Sequence, residues 1–405
     1  MKSIDGGVCA AKGFKAAGIH CGVKTNHVGK KDVALIVADA ECTAAAVYTT
    51  NVVKAAPLHV TREHLSNGRA RAIIANSGNA NACAPEDMEN ALRMCSSAAA
   101  ALGIHESDIA VASTGVIGQR LRVEVIEDGM SSLVSELSDN GSEAAAQAIM
   151  TTDTLEKEFA VEFMVGGKTA ALGGISKGSG MIHPNMGTML CFVTTDCAIS
   201  TQMLDVALKK VTKVSFNRIS VDGDTSTNDM CVVLASGIAG NAEITADGAD
   251  FEAFCAALED VCVTLAKEMA SDGEGAQHLI TCTVSGAKSE KDAETLSKSV
   301  ISSTLVKAAI FGADANVGRV LCAMGYAGVE FDTRGVSVAY ESSAGNIMVC
   351  KDGVGLAFDE ELAKKVLIEH DIIIDITMSE GSGECTCWGC DITYDYIKIN
   401  GDYRS

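Results

Sequence analysis

Stretches of helical and of extended patterning alternate along the whole chain, with no heptad array, long internal repeat or low-complexity linker. Residues 86–102 combine a helical composition with an acidic first turn, which suits the positive end of a helix dipole. Segments 142–150, 202–216, 252–270, 292–309 and 359–369 read the same way. Short β-like runs fall at Val33–Ala38, Ala72–Ala75, Val232–Ala235, His278–Val284, Asp371–Met378 and Asp391–Ile399. Two hairpins are expected. One joins Glu162–Val165 to Thr169–Leu172 around Gly166-Gly167, and the other joins Val336–Ala339 to Ile347–Cys350 around Ala344-Gly345-Asn346. Helices mixed with hairpin-linked strands predict an α/β or α+β layered fold with much antiparallel pairing.

Composition narrows the function classes. The 405 residues are 47% hydrophobic and 21% charged, so there is ample apolar material to bury and no reason for disorder. Fifty-three acidic against 32 basic residues give a net charge of −21. That balance disfavours nucleic-acid binding, which needs clustered Lys and Arg, and disfavours attraction to anionic membranes. No run reaches the roughly 20 apolar residues of a membrane span, and the first residues lack a signal-peptide core. Sixteen cysteines would suggest a disulfide framework in a short secreted chain. Here most sit singly among Ala, Val and Leu, as at Cys231, Cys262 and Cys322, which predicts reduced core thiols in a cytoplasmic protein.

Several generic motifs nearly fit and fail. Gly178-Ser179-Gly180-Met181-Ile182-His183 has His where a dinucleotide fingerprint needs its third Gly. Gly174-Ile175-Ser176-Lys177-Gly178 has the spacing of a nucleophile elbow, but it sits on the second arm of a hairpin and a Gly-rich loop follows instead of a helix. A calcium loop starting at Asp222 would need Gly and Glu where Thr227 and Val233 stand, so Asp222–Asp229 is read as a hydrogen-bonded polar turn. Cys385, Cys387 and Cys390 lack a fourth zinc ligand at finger-like spacing and are read as packing, with a thiol- or metal-binding protein kept as a rival reading. No His pair has the spacing of two metal ligands on one helical face. No metal and no cofactor are expected.

Thr188 is different. It follows a Gly-rich loop and stands at the mouth of an apolar run, Met189–Val193. A Thr hydroxyl is a poor nucleophile without a base, and a Thr that begins a chain carries its own base, the α-amine. That requires a cut after Gly187, a residue that tolerates strained backbone. Gly-Thr before a strand also occurs in many structural turns.

The chain resembles the glutamate N-acetyltransferase / ornithine acetyltransferase (ArgJ) family of arginine biosynthesis over nearly its whole length. The resemblance rests on Asn76–Cys83, Ser113–Gly118, Met150–Asp153, Lys177–Ile182, Pro184–Leu190, Val221–Asp229, Gly273–Ala276, Phe311–Asn316 and Lys398–Ser405. It implies the DmpA/ornithine-acetyltransferase-like fold, with N-terminal-nucleophile chemistry. It further implies a precursor that cuts itself between Gly187 and Thr188 into an alpha chain, 1–187, and a beta chain, 188–405, interlocked in an α2β2 assembly. The implied reaction moves an acetyl group from N-acetylornithine to glutamate through an acetyl-enzyme on Thr188. Thr114 and Gly115 would form the oxyanion hole. Thr151, Lys177, Thr188, Glu274, Asn400 and Ser405 match substrate-binding positions. Gly187 stands where the family usually has Ala, and Ser405 replaces the usual terminal Thr but keeps a hydroxyl. Members that also accept acetyl-CoA share every one of these motifs with members that do not. A rival on the same scaffold is an N-terminal-nucleophile aminopeptidase or amidohydrolase.

Overall fold

The computed structural model describes residues 1–25, 29–183 and 189–402. Two mixed β-sheets and the helices packed on them form the scaffold, which is the layered α/β architecture expected. The larger sheet runs in the order Lys2–Ile4, Lys157–Val165, Lys168–Lys177, Leu190–Thr195, Met230–Ala235, Val33–Tyr48, Arg69–Asn79, Ile109–Val116, with Phe14–Ile19 also paired to Val33–Tyr48. Pairing is antiparallel except between Leu190–Thr195 and Met230–Ala235 and between Arg69–Asn79 and Ile109–Val116. Strand Leu190–Thr195 lies between Lys168–Lys177 and Met230–Ala235, so segments from both sides of position 187 interleave in one sheet.

Period-two geometry explains why these strands read as continuous apolar runs. Leu190 and Phe192 join one core with Val232, Leu234 and the helix Ser142–Ile149. Cys191 and Val193, on the opposite face, join another with the helices Thr201–Val214 and Ala249–Ser271. A sheet covered on both faces has no polar side to show. Trp388 and Cys390 of the smaller sheet also belong to the core built on Ala249–Ser271, which ties the two sheets together. That smaller sheet runs Val354–Gly355, Gly345–Lys351, Ser337–Ser342, Asp371–Thr377, Leu279–Ala287, Gly383–Cys390, Ile219–Ser220.

The hairpin at Gly166-Gly167 forms as expected, with Val165 opposite Lys168 and both glycines at positive φ, 54° and 72°. Four expectations need correction. Residues 391–399 are not a strand. Thr393 turns the chain, its side chain accepts from Asp395 N, and a helix runs over Tyr394–Gly401. Segment 292–309 is two helices, Glu290–Ser302 and Thr304–Phe311, because Ser303 is extended and its hydroxyl caps the second by accepting from Val306 N. In the second hairpin Ser342 pairs with Gly345, so the turn lies at Ser343-Ala344, ahead of the expected position. Cys322 is exposed, whereas Cys231 and Cys262 are buried; all sixteen thiols are free.

Candidate functional site

Three polar motifs distant in sequence are clamped together at one place. Asn228 is buried and its Nδ2 donates to Ala80 O (2.6 Å) and Ser113 O (2.8 Å), while Thr227 Oγ1 donates to its Oδ1 (2.6 Å). Ser113 Oγ donates to Asn76 Oδ1 (2.6 Å), and Asn76 Nδ2 donates to Asn79 O (2.9 Å). The loop after Arg69–Asn79, the end of Ile109–Val116 and the polar turn before Met230–Ala235 are therefore one hydrogen-bonded unit. Such fully paired buried networks fix geometry.

Gly115 sits in this unit at φ +130°, and a Cβ there would lie 2.4 Å from Gly78 C and 2.6 Å from Asn79 N. Only glycine allows the two strand ends to approach so closely. Lys177 ends its strand, is buried, and donates from Nζ to Thr114 Oγ1 (3.3 Å). Burial pushes its pKa down, outweighing the attraction of Asp153.

Asp153 positions the next group. Its carboxylate accepts from Thr151 N (2.9 Å), Gly178 N (2.7 Å) and Lys157 Nζ (2.9 Å), and Lys157 also meets Asp272 Oδ2 (2.6 Å). Burial alone would raise the Asp153 pKa, but Lys177, Lys157 and the two backbone donors outweigh it and hold the carboxyl well below the usual range. Glu274 is buried, its N–H donates to Ser179 O (2.8 Å), and its Oε2 accepts from Asn400 Nδ2 (2.7 Å). A Cβ on Gly180 would come within 2.4 Å of the Glu274 carboxylate, so that glycine makes room for it. Asp222 accepts from Met181 N (2.5 Å) and Ile182 N (2.9 Å), which makes the polar turn an anchor for the Gly-rich loop.

Thr114, Gly115, Thr151, Lys177, Glu274 and Asn400 all line one cavity of about 370 Å³. Met189, the residue that follows Thr188, lines it as well. Gly187, Thr188 and Ser405 lie outside the described residues. Asn400 reaches the cavity from the helix that sequence patterning had made a strand. Residue reasoning missed Asn228, Asp229 and the Asp153–Lys157–Asp272 cluster. Their only sequence signal is that polar residues sit in motifs flanked by apolar runs, and burial is what gives them meaning. No His, Cys, Asp or Glu cluster among the described residues is arranged to hold a metal ion, and none of their helices is long and apolar enough to cross a membrane.

A half-buried hydroxyl, a buried ammonium and a buried carboxylate lining one cavity of a layered α/β scaffold suit an enzyme site for a small polar substrate, and the family match below places the chain in an acetyltransferase class. The ArgJ family model matches residues 15–405, and the chain belongs to the ArgJ family. It is 50% identical over 406 residues to the arginine biosynthesis bifunctional protein ArgJ of Symbiobacterium thermophilum, covering 100% of both chains. It is 47% identical to ArgJ 1 of Clostridium acetobutylicum, over 97% of this chain and 96% of that one. The crystal structure of the ArgJ protein from Bacillus halodurans aligns with a TM-score of 0.51 at 46% identity, covering 53% of this chain and 99% of that chain.

Proposed function

We propose that the protein is a self-processing acetyltransferase that moves the acetyl group of N2-acetyl-L-ornithine to L-glutamate. The observation that carries this reading is the convergence of Thr114, Gly115, Thr151, Lys177, Glu274 and Asn400 on one cavity that also reaches Met189. Relatives named for a bifunctional role in arginine biosynthesis support it. In this reading the chain cuts itself between Gly187 and Thr188. Interleaved strands from both sides of that bond would hold the alpha chain (1–187) and beta chain (188–405) together after the cut. The Bacillus halodurans structure matches over a share of this chain close to that lying beyond residue 187.

Thr188 then attacks the acetyl carbonyl while its α-amine takes the hydroxyl proton. The carbon–nitrogen bond breaks, ornithine leaves with that proton, and glutamate takes the acetyl group from the ester in a second half-reaction. Thr114 accepts from Lys177 and so can turn its own hydrogen toward the developing oxyanion, beside the Gly115 N–H. Glu274, held by Asn400, would meet the ammonium of either zwitterion, and Lys177 with Thr151 and Ser405 would meet its carboxylate. The cavity is at the small end of the range for small-molecule sites, about 300–1,000 Å³.

The test is release of ornithine from N-acetylornithine with and without glutamate. Transfer requires glutamate, and acetate release without it would instead make the protein a hydrolase on this scaffold. Acetyl-CoA as a second donor is a further part of the proposal, and acetylglutamate formed from acetyl-CoA alone would establish it. An α2β2 assembly of the cut chains completes the proposal, with a mass measurement in solution as its check.

A further inference from the structure

Self-cleavage sets a requirement that acetyl transfer does not. In the uncut chain the nitrogen of Thr188 is a peptide nitrogen, whose lone pair is delocalised into the carbonyl, and it cannot serve as a base. Some other group must take the hydroxyl proton before the α-amine exists.

Asp229 has the properties required. It lines the same cavity, is 2% exposed, and its Oδ2 has no hydrogen-bond partner among the described residues. Buried polar atoms are nearly always paired, so an unpaired carboxyl oxygen on a residue that lines a cavity calls for a functional reason. Strand register fixes its place. Met230 N donates to Met189 O (2.8 Å), Met230 lies opposite Leu190, and the backbone N–H of Met189 acts on the Asp229 carboxyl. The carboxyl is therefore held beside the residue bonded to Thr188. Its own backbone is fixed by Thr49 N donating to Asp229 O (3.0 Å), and its neighbour Asn228 is locked by the clamp described above.

We propose, building on the self-processing reading, that Asp229 is the proton shuttle for the cut between Gly187 and Thr188. Its carboxylate takes the Thr188 hydroxyl proton as the oxygen bonds to the Gly187 carbonyl carbon. The carbon–nitrogen bond then breaks, the carboxylic acid returns the proton to the departing amine, and water hydrolyses the resulting ester to free Gly187 carboxylate and Thr188 hydroxyl. Burial pushes the Asp229 pKa well above the carboxylate range despite Lys177 and the nearby donors, which makes it the stronger base when ionised. The other ionisable groups lining the cavity are engaged, Lys177 with Thr114 and Glu274 with Asn400.

The test follows cleavage of freshly synthesised full-length chain by denaturing electrophoresis across pH 5–8. Wild type should cleave faster as pH rises. Asp229→Asn keeps an acceptor for Met189 N–H and nearly the same volume but carries no proton. It should accumulate folded precursor, cleaving about 100-fold more slowly and without the pH dependence. Asp229→Glu, which retains a titrating carboxyl, should recover pH-dependent cleavage at a reduced rate. Cleavage of Asp229→Asn at the wild-type rate and pH profile would overturn the shuttle. If Asp229→Asn does not fold, a Glu variant whose cleavage is independent of pH would overturn it equally. A wild-type chain that never cleaves would refute self-processing itself, a separate outcome.

Discussion

Gly115→Ala tests the proposed oxyanion role of Gly115 through backbone geometry alone. A Cβ at 115 would sit 2.4 Å from Gly78 C, about 1 Å inside an ordinary contact, and the atoms it meets are backbone that belongs to the Asn76–Asn228 clamp. The φ of +130° adds its own penalty, about 1–3 kcal/mol for a non-glycine residue. Relief requires the end of Ile109–Val116 to shift by most of an ångström, taking Thr114 with it. Misplacement by about 1 Å costs on the order of 10²-fold in rate, and loss of an oxyanion donor about 10²–10³. The variant should therefore lose about 100-fold or more in kcat for acetyl transfer, measured by ornithine release, and should unfold at a lower temperature. Gly118→Ala is the control. Its φ of +81° carries strain, but nothing lies within 4 Å of a Cβ there, so it should lose stability with kcat within a few-fold of wild type. Equal kcat for Gly115→Ala and wild type would refute the placement of Gly115 at the reacting carbonyl.

Asp153→Asn leaves Lys157 buried with one carboxylate partner fewer and should cost about 3–5 kcal/mol in denaturant unfolding at pH 7. Because the Asp153 carboxyl is held low, its stabilisation is present above the ordinary aspartate pKa of about 3.9 and fades as pH falls below it, so the variant and wild type should converge in acid. Glu268 behaves in the opposite sense. Burial raises its pKa to about 7, so the folded chain holds a proton there that the unfolded chain gives up, and stability should decline as pH rises from about 4.5 to 7. Glu268→Gln should flatten that decline in thermal melts, and an unchanged pH slope would show that Glu268 ionises as in water. Cys387→Ala, in the core of the smaller sheet, should cost about 1–2 kcal/mol in stability while leaving acetyl transfer intact and the protein free of stoichiometric metal. A large activity loss with normal stability would revive a thiol role.

Much of the scaffold was legible because both faces of the larger sheet are covered, so strands such as Leu190–Thr195 and Met230–Ala235 announce themselves as apolar runs. Gly166-Gly167 likewise fixed its hairpin, since two consecutive positive φ values leave few alternatives. Two of the failures share a cause. At Thr393 and Ser303 one hydroxyl decides where a helix begins, and alternation of apolar residues carries no information about it. For Thr393 the mistake concerned the site itself, because the helix it starts delivers Asn400 to Glu274. Thr114, Gly115, Thr151, Lys177, Glu274 and Asn400, assigned through the family resemblance, meet at one cavity, but the groups that hold them were silent in sequence. Asp153 and Asn228 act through backbone amides and carbonyls brought together only by the fold. Asp229 is an ordinary acidic residue until its burial is known.

The central claim is that Thr188 becomes a chain terminus. Intact-mass spectrometry of freshly purified protein, with N-terminal sequencing of each species, tests it directly. Self-processing requires two polypeptides, of 187 and 218 residues, the second beginning at Thr188, and a Thr188→Ala variant that stays whole and inactive. A single active chain of 41.9 kDa would contradict it.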